Sequence, residues 1–197
     1  MKEEKKDRRI RYTKAALRQS LLELLEEKPL SGISVKAICE RADINRSTFY
    51  DHYTDQYDLL HQLEQEAITA FRSDVMKEPF LRTPAERTHQ ICEMLKYIAS
   101  DSLLFKSLLS SNCDYSFPKD IMIMTRNYLI SIPDLSLNAE PEKMDYAIYF
   151  VISGALSMLR KWLSDGLTQP VSEVASLIET LVYSGLNGIT SAPCKTP

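Results

Sequence analysis

Five glycines in a chain of 197 residues is the feature that most narrows the folds open to it. Positive-φ turns, phosphate-cradling loops and the tight reversals of all-β proteins draw on glycine because it lacks a Cβ. A chain this poor in glycine therefore points to helices joined by short connections. The same scarcity argues against an enzyme built on a glycine-rich nucleotide loop. A composition of 44% hydrophobic and 26% charged residues is that of an ordinary globular protein and not of a disordered or fibrous one. The length suits one large domain, or a small domain followed by a larger one. Cys39, Cys92, Cys113 and Cys194 have no paired spacing and no neighbouring histidine cluster, so they read as reduced thiols in the cytoplasm, with no metal site and no cofactor. The charged start, Met1 to Arg11, is not followed by the apolar stretch of a signal peptide, and no membrane-spanning segment is visible.

Charge is distributed unevenly. Between Met1 and Arg18 stand eight bases, Lys2, Lys5, Lys6, Arg8, Arg9, Arg11, Lys14 and Arg18, against Glu3, Glu4 and Asp7. From Leu59 onward twelve bases face sixteen acids. The front of the chain is suited to a polyanion and the remainder is not, which makes the protein bipartite.

Helical periodicity runs through the whole length. Ile10, Leu17, Leu21, Leu24 and Leu25 recur at three, four and seven, predicting a helix over 7–28 that Pro29 ends. Ser34 is placed to cap a short second helix carrying Val35, Ile38, Cys39 and Ala42, and Asn45 to cap a short third one carrying Phe49 and Tyr53. A long fourth helix starts at Thr54-Asp55 and runs through Phe71. After a connection at 77–82 containing Pro79, Thr83-Pro84-Ala85-Glu86 spells a capping box with proline at the first helical position. Further helices are expected through Ile91–Ile98, Leu103–Leu109, 118–132 (stopped by Pro133), 141–165 (ended by Gly166) and 171–185. The sum is about nine helices with no convincing strand: an all-α protein.

Chemistry concentrates in the first sixty residues. Two short helices joined by the tight turn Asp43-Ile44-Asn45 form a helix-turn-helix, with Ile38, Ala42, Ile44, Phe49 and Tyr53 as its inward core. The outer face then holds Arg46, Ser47, Thr48, Tyr50, Asp51 and His52. An arginine, short hydroxyls and an aromatic are groups that bond base edges and phosphates. The run from Ser34 to Leu60, within about fifty contiguous positions, resembles the DNA-binding domain of TetR-family transcriptional regulators. The resemblance implies that Ser34 and Lys36 approach phosphates and that Arg46, Ser47, Thr48, Tyr50 and His52 face the major groove or its walls. It also puts Tyr50 and Tyr53 on the family's aromatic positions. Together with Asn45, Asp51 and Gln56 these make the DNA-binding set. Two positions depart from the pattern: Asp43 stands where glycine is usual and must adopt a left-handed backbone, and Gln56 stands where a phosphate-binding lysine is frequent.

The stretch Gly154 to Gly166 resembles a C-terminal region common in TetR-like regulators of Gram-positive bacteria, including the activator of dihydroxyacetone kinase genes. The resemblance implies three parts: a helix-turn-helix domain over 1–54, a helical effector-binding and dimerisation domain over 55–190, and a tail over 191–197. It also implies a homodimer formed by the last two long helices, with Tyr146, Phe150, Leu156, Leu159, Trp162, Leu177, Ile178 and Leu181 at the interface. An effector pocket would be lined by Phe71, Ile91, Met94, Ile98, Phe105, Met124, Tyr128 and Tyr149, with His89 and Asn127 as polar anchors.

The expected function is that of a dimeric regulator of a palindromic operator in double-stranded DNA, acting as a repressor released by an unknown small-molecule effector and having no membrane partner. The alternative is a transcriptional activator, or a DNA-bound adaptor that works through protein partners without a small ligand. Ser/His/Asp, Cys/His and HExxH orders are missing from the sequence, so catalysis is not expected.

Overall fold

The computed structural model describes residues 2–75, 83–113, 116–131 and 140–190. Among them are nine helices and no strand: α1 (Lys2–Glu27), α2 (Val35–Ala42), α3 (Arg46–Tyr50), α4 (Gln56–Ala70), α5 (Pro84–Ser100), α6 (Ser102–Leu108), α7 (Ser116–Ile130), α8 (Pro141–Ser164) and α9 (Val171–Glu179). Two of them change pitch at their ends. α4 continues into a π-helical turn at Phe71–Val75, and α9 passes through one at Thr180–Ser184 before resuming as Gly185–Thr190. No described helix is long and apolar enough to cross a membrane. The connection at 77–82, the stop at Pro133, the tail 191–197 and Cys194 lie outside the described residues.

The chain divides into two compact units, Met1–Thr69 with Leu103–Tyr115, and Ala70–Ser102 with Ser116–Pro197. The first takes in α4 and α6, more chain than residues 1–54. Its core is the leucine stripe of α1, Leu17, Leu21, Leu22, Leu24 and Leu25, together with Ile33, Ile38, Phe49, Leu59, Leu60 and Leu63, all buried. Removing each such side chain from water favours folding by about 1.5–3 kcal/mol. α1 begins earlier than its apolar periodicity, at Lys2, and ends at Glu27, since Pro29 disfavours helical backbone at Lys28; Pro29 itself is extended (ψ 151°) ahead of a 3₁₀ turn at Leu30–Gly32. The 103–113 segment is fastened here by Asn112. Its side-chain amide donates to the Leu25 carbonyl at 2.8 Å, and its own carbonyl accepts from the Leu30 N–H at 3.0 Å. An exposed Lys106–Glu26 ion pair of 2.7 Å lies alongside.

The second unit holds α5, α7, α8 and α9. Thr83 accepts from the Glu86 N–H at 3.2 Å and Glu86 returns the bond to the Thr83 N–H at 2.9 Å, so the capping box read from the sequence fixes the start of α5. α8 ends in a paired reversal: the Gly166 N–H donates to the Leu163 carbonyl at 3.2 Å, and the Leu167 N–H to the Trp162 carbonyl at 3.0 Å. Gly166 (φ 73°) supplies the left-handed turn its position requires, and Leu167 (φ 60°) follows it there at some steric cost. α7 begins two residues before the expected 118, which seats Pro118 in the first turn where its missing N–H is harmless.

The expected dimer face separates into two groups. Leu156, Leu159, Trp162 and Ile178 are buried within their own unit, the Trp162 indole donating to the Gln169 carbonyl at 2.9 Å. Tyr146, Phe150, Leu177 and Leu181 are exposed. α8 carries apolar residues on two sides, Leu156, Leu159 and Trp162 on one and Tyr146 and Phe150 on another, so its sequence alone does not say which of them packs on α7 and α9. Tyr149 is also exposed, on the outer face of α8 with Tyr146 and Phe150, and therefore leaves the group of pocket residues. Phe105 leaves it too, being buried in the first unit.

Asp43 sits at φ 54°, ψ 43° as the C-cap of α2. Aspartate tolerates this region but glycine occupies it without Cβ strain. Asp43→Gly is expected to raise the denaturation midpoint by the equivalent of about 0.5–1 kcal/mol, measured by urea unfolding followed by circular dichroism.

Candidate nucleic-acid interface

α3 is five residues long, too short to be stable alone. Three devices hold it. Asn45 caps it, Oδ1 accepting from the Ser47 N–H at 3.0 Å and from the Ser47 hydroxyl at 3.2 Å. Phe49 is fully buried beneath it, with the Tyr50 and Tyr53 rings 5.6 and 5.5 Å from its own. At the other end the Asp51 N–H donates to the Ser47 carbonyl at 3.1 Å and the Tyr53 N–H to the Phe49 carbonyl at 2.9 Å; at the start of α4, Asp58 accepts from the Thr54 N–H at 2.8 Å and from the Gln62 amide at 3.0 Å, bonds that hold its carboxyl below the usual range. α2 is tied to the end of α1 by an Arg41–Glu27 ion pair of 2.7 Å, and Arg41 keeps the Glu27 carboxyl below its ordinary value.

This frame sorts the expected DNA-binding residues. Arg46, Ser47, Tyr50 and Asp51 are exposed, and Thr48, His52 and Gln56 at least partly so, giving one continuous polar surface on and just beyond α3. Ser34 and Lys36 lie at the start of α2 and reach solvent, the Ser34 hydroxyl accepting from the Ala37 N–H at 3.2 Å. Lys36 lies 3.6 Å from Glu40, an exposed pair worth little in water and easily exchanged for a phosphate. Tyr53 differs from the rest. It is 5% exposed, and burial, with the Glu66 and Asp58 charges behind it, pushes its phenol up to about 12. Tyr53 packs beneath α3, its ring 5.5 Å from that of Phe49.

Beside the turn lies an open groove of about 430 Å³ lined by Lys36, Cys39, Glu40, Asp43, Ile44, Asn45 and Arg46. Two cations face two carboxylates there, so the groove has no net preference for a small anion. The Cys39 thiol is buried and its pKa is pushed up by that burial, which makes it a packing residue and a poor nucleophile.

In the second unit, Phe71 and Ile98 are buried and Ile91, Met94, Met124 and Tyr128 lie nearer the surface, while His89 and Asn127 are exposed and do not serve as interior anchors. The polar groups that do point inward are ones the periodicity does not single out. Arg87 donates to Glu179 Oε1 from Nε at 3.0 Å and from Nη2 at 2.7 Å, and its guanidinium lies 4.0 Å from the centre of the Tyr183 ring. Tyr128 donates to Gln90 at 3.1 Å, and burial raises the phenols of both tyrosines. The π-helical turn places Tyr183 just beyond Glu179 and so belongs to this cluster. The signal open to sequence reading is a pair of helical spacings, Arg87 with Gln90 and Glu179 with Tyr183, each putting polar groups on one side of a helix.

Comparison with known proteins agrees with this geometry. Residues 17–63 match the family described as "Bacterial regulatory proteins, tetR family", and residues 86–184 match "Transcriptional regulator C-terminal region". A Bacillus subtilis (strain 168) protein described as an uncharacterized HTH-type transcriptional regulator, YxbF, is 40% identical over 65 residues, which is 32% of this chain and 17% of that protein. The chain thus spans under a fifth of that relative's length. Among solved structures, a TetR transcriptional regulator from Streptococcus agalactiae 2603V is 25% identical with a TM-score of 0.63, covering 90% of this chain and 97% of that one. The dihydroxyacetone kinase operon activator DhaS is 16% identical with a TM-score of 0.57, over 91% and 98%, and shares the fold.

Asn45→Ala removes both acceptor bonds at the start of α3. Loss of such a cap costs about 1 kcal/mol, so the variant is expected to unfold at lower denaturant, as read by the midpoint in urea.

Proposed function

The chain belongs to the TetR family of bacterial regulatory proteins and is a DNA-binding transcriptional regulator; from that premise we propose that it acts as a homodimer on a palindromic operator and is a repressor released by a small-molecule effector. The observation that carries the dimer is the uncovered face of α8 and α9, where Tyr146 is 81% and Phe150 78% exposed, with Leu177 and Leu181 also outward. A single chain leaves this aromatic and aliphatic surface in water, and the same surface on a second copy, brought up by a two-fold axis, removes it. Two copies of α3 set about one helical turn of DNA apart then read two half-sites. Arg46, Ser47, Thr48 and Tyr50 reach base edges, and Ser34, Lys36 and Gln56 fix the register through phosphates.

For the effector, the supporting feature is the Arg87–Glu179–Tyr183 cluster in the unit that also holds Ile91, Met94, Met124 and Tyr128. It provides polar anchors in apolar surroundings, the usual make-up of a small-molecule site. An effector that binds better to the dimer whose α3 spacing does not fit the operator lowers DNA affinity by that difference in binding free energy. Such a ligand acts as an inducer.

Two outcomes test this reading. Binding to a duplex chosen from a random-sequence pool, followed by fluorescence anisotropy, is expected to show one dimer per duplex and a steep salt dependence. In that assay Arg46→Ala is expected to cost about 1–3 kcal/mol per half-site and relax selectivity at one base step in each, whereas Lys36→Ala weakens binding to all sequences and lowers the salt slope by about 2, one phosphate per protomer. Equal effects of the two on selected and scrambled DNA would refute the assigned roles. Separately, Phe150→Glu with Leu181→Glu places carboxylates in the proposed dimer face and is expected to weaken dimerisation by about 100-fold, roughly 2.7 kcal/mol, as sedimentation velocity would register.

A further inference from the structure

α1 is longer than its core. Its first buried side chain among those described is Thr13, and Asp7, Arg8, Arg9, Arg11 and Tyr12 are exposed, Tyr12 by 73%, with Ile10 only half-covered. The helix nonetheless begins at Lys2, so the described turns before Thr13 are formed without a buried side chain beneath them. A charged helical segment of that length has little stability of its own, which raises the question of what it is for.

Position and charge answer together. Lys14 Nζ lies 5.8 Å above the Tyr53 ring, and Tyr53 packs on Phe49 of α3, so this turn of α1 abuts the end of the reading helix. Arg11 and Arg18 fall one turn either side of Lys14 on the same face. At about 1.5 Å of rise per residue, Arg8 stands roughly 9 Å beyond Lys14. The window Arg8 to Arg18 contains five cations and no carboxylate, the acids Glu3, Glu4 and Asp7 lying before it. We propose that the start of α1 is a second DNA contact, in which Arg8, Arg9 and Arg11 bind backbone phosphates flanking the bases read by α3. It supplies cationic phosphate binding that the neutral Gln56 does not, and carries no base selectivity. This rests on the chain being a DNA-binding regulator and adds a contact outside the helix-turn-helix.

The test is the triple variant Arg8→Gln, Arg9→Gln, Arg11→Gln in the full chain, with glutamine keeping helix propensity. Anisotropy titrations on a selected 30-base-pair duplex and on its scrambled counterpart across a salt series are expected to show a slope smaller by roughly five, since three arginines on each of two protomers are lost at about 0.9 per phosphate. The fold loss of affinity is expected to be equal on both duplexes. The corresponding three arginine-to-lysine changes keep the slope. A control removing three cations of the second unit, Lys96→Gln, Lys119→Gln and Lys143→Gln, leaves it nearly unchanged. An unaltered slope in the first variant, an equal drop in the control, or a loss confined to the selected duplex overturns the contact. Absence of salt-dependent binding by the unaltered protein to either duplex would instead overturn the parent reading.

Discussion

The burial of Phe49 is what the outward face of α3, the proposed recognition surface, depends on. A helix of five residues has too few internal hydrogen bonds to persist alone, so the orientation of Arg46, Ser47 and Tyr50 is a property of what lies under them. Phe49 has no exposed surface, and its contacts with Tyr50 and Tyr53 make a small aromatic cluster in a unit whose α2 packs on both α1 and α3. Those neighbours are fixed in turn by the α1 leucines, by the Arg41–Glu27 pair and by the caps at Ser34 and Asn45. The outward side chains can therefore be polar, short and poorly packed and still keep their position. Reading DNA needs such side chains, and an independently stable helix would need different ones.

The second unit is built on a different division of labour. Its helices bury aliphatic residues against one another while a charged pair, Arg87 with Glu179, is held among them. A buried ion pair is a weak source of stability, because desolvating both charges offsets most of their attraction. Here the guanidinium is also covered by the Tyr183 ring, and Glu179 receives two of its N–H bonds. The pair therefore joins α5 to α9 while adding little net stability. π-helical turns occur often at functional sites, and the one in α9 lies at this contact.

Most of the architecture is legible in the sequence because the decisive signals are local. Pro29, Ser34, Asn45, Thr83 with Glu86, and Gly166 each determine a helix end through their own side chain or backbone freedom, and the observed boundaries follow them. The TetR resemblance supplies the function of a surface whose chemistry is suggestive by itself. What stays hidden is long-range. Whether Trp162 or Phe150 faces inward depends on where α7 and α9 lie, and a helix apolar on both sides does not record that. Phe105 follows α5 in the chain and so reads as an effector residue, yet it is buried in the same unit as α1. Arg87 and Glu179 are 92 positions apart, so no local spacing joins them. Tyr53 is ambiguous in sequence because a tyrosine offers a ring to the core and a hydroxyl to DNA, and its burial is decided by Lys14 and Phe49 from other helices.

The two bonds made by Asn112 bear on how the protein is born. Leu25 and Leu30 leave the ribosome long before Asn112 is translated, and the recognition unit cannot close this carbonyl and N–H until that residue arrives. At elongation rates of about 5–20 residues per second, Asn112 follows the end of α4 by several seconds, during which α1 to α4 lack these two bonds. During that interval the chain already carries its basic start and its reading helix but has not finished the scaffold beneath them. Synthesis order thus separates the arrival of the proposed DNA-contacting surface from its last hydrogen bonds, and a nascent chain stalled before residue 112 would present the first without the second.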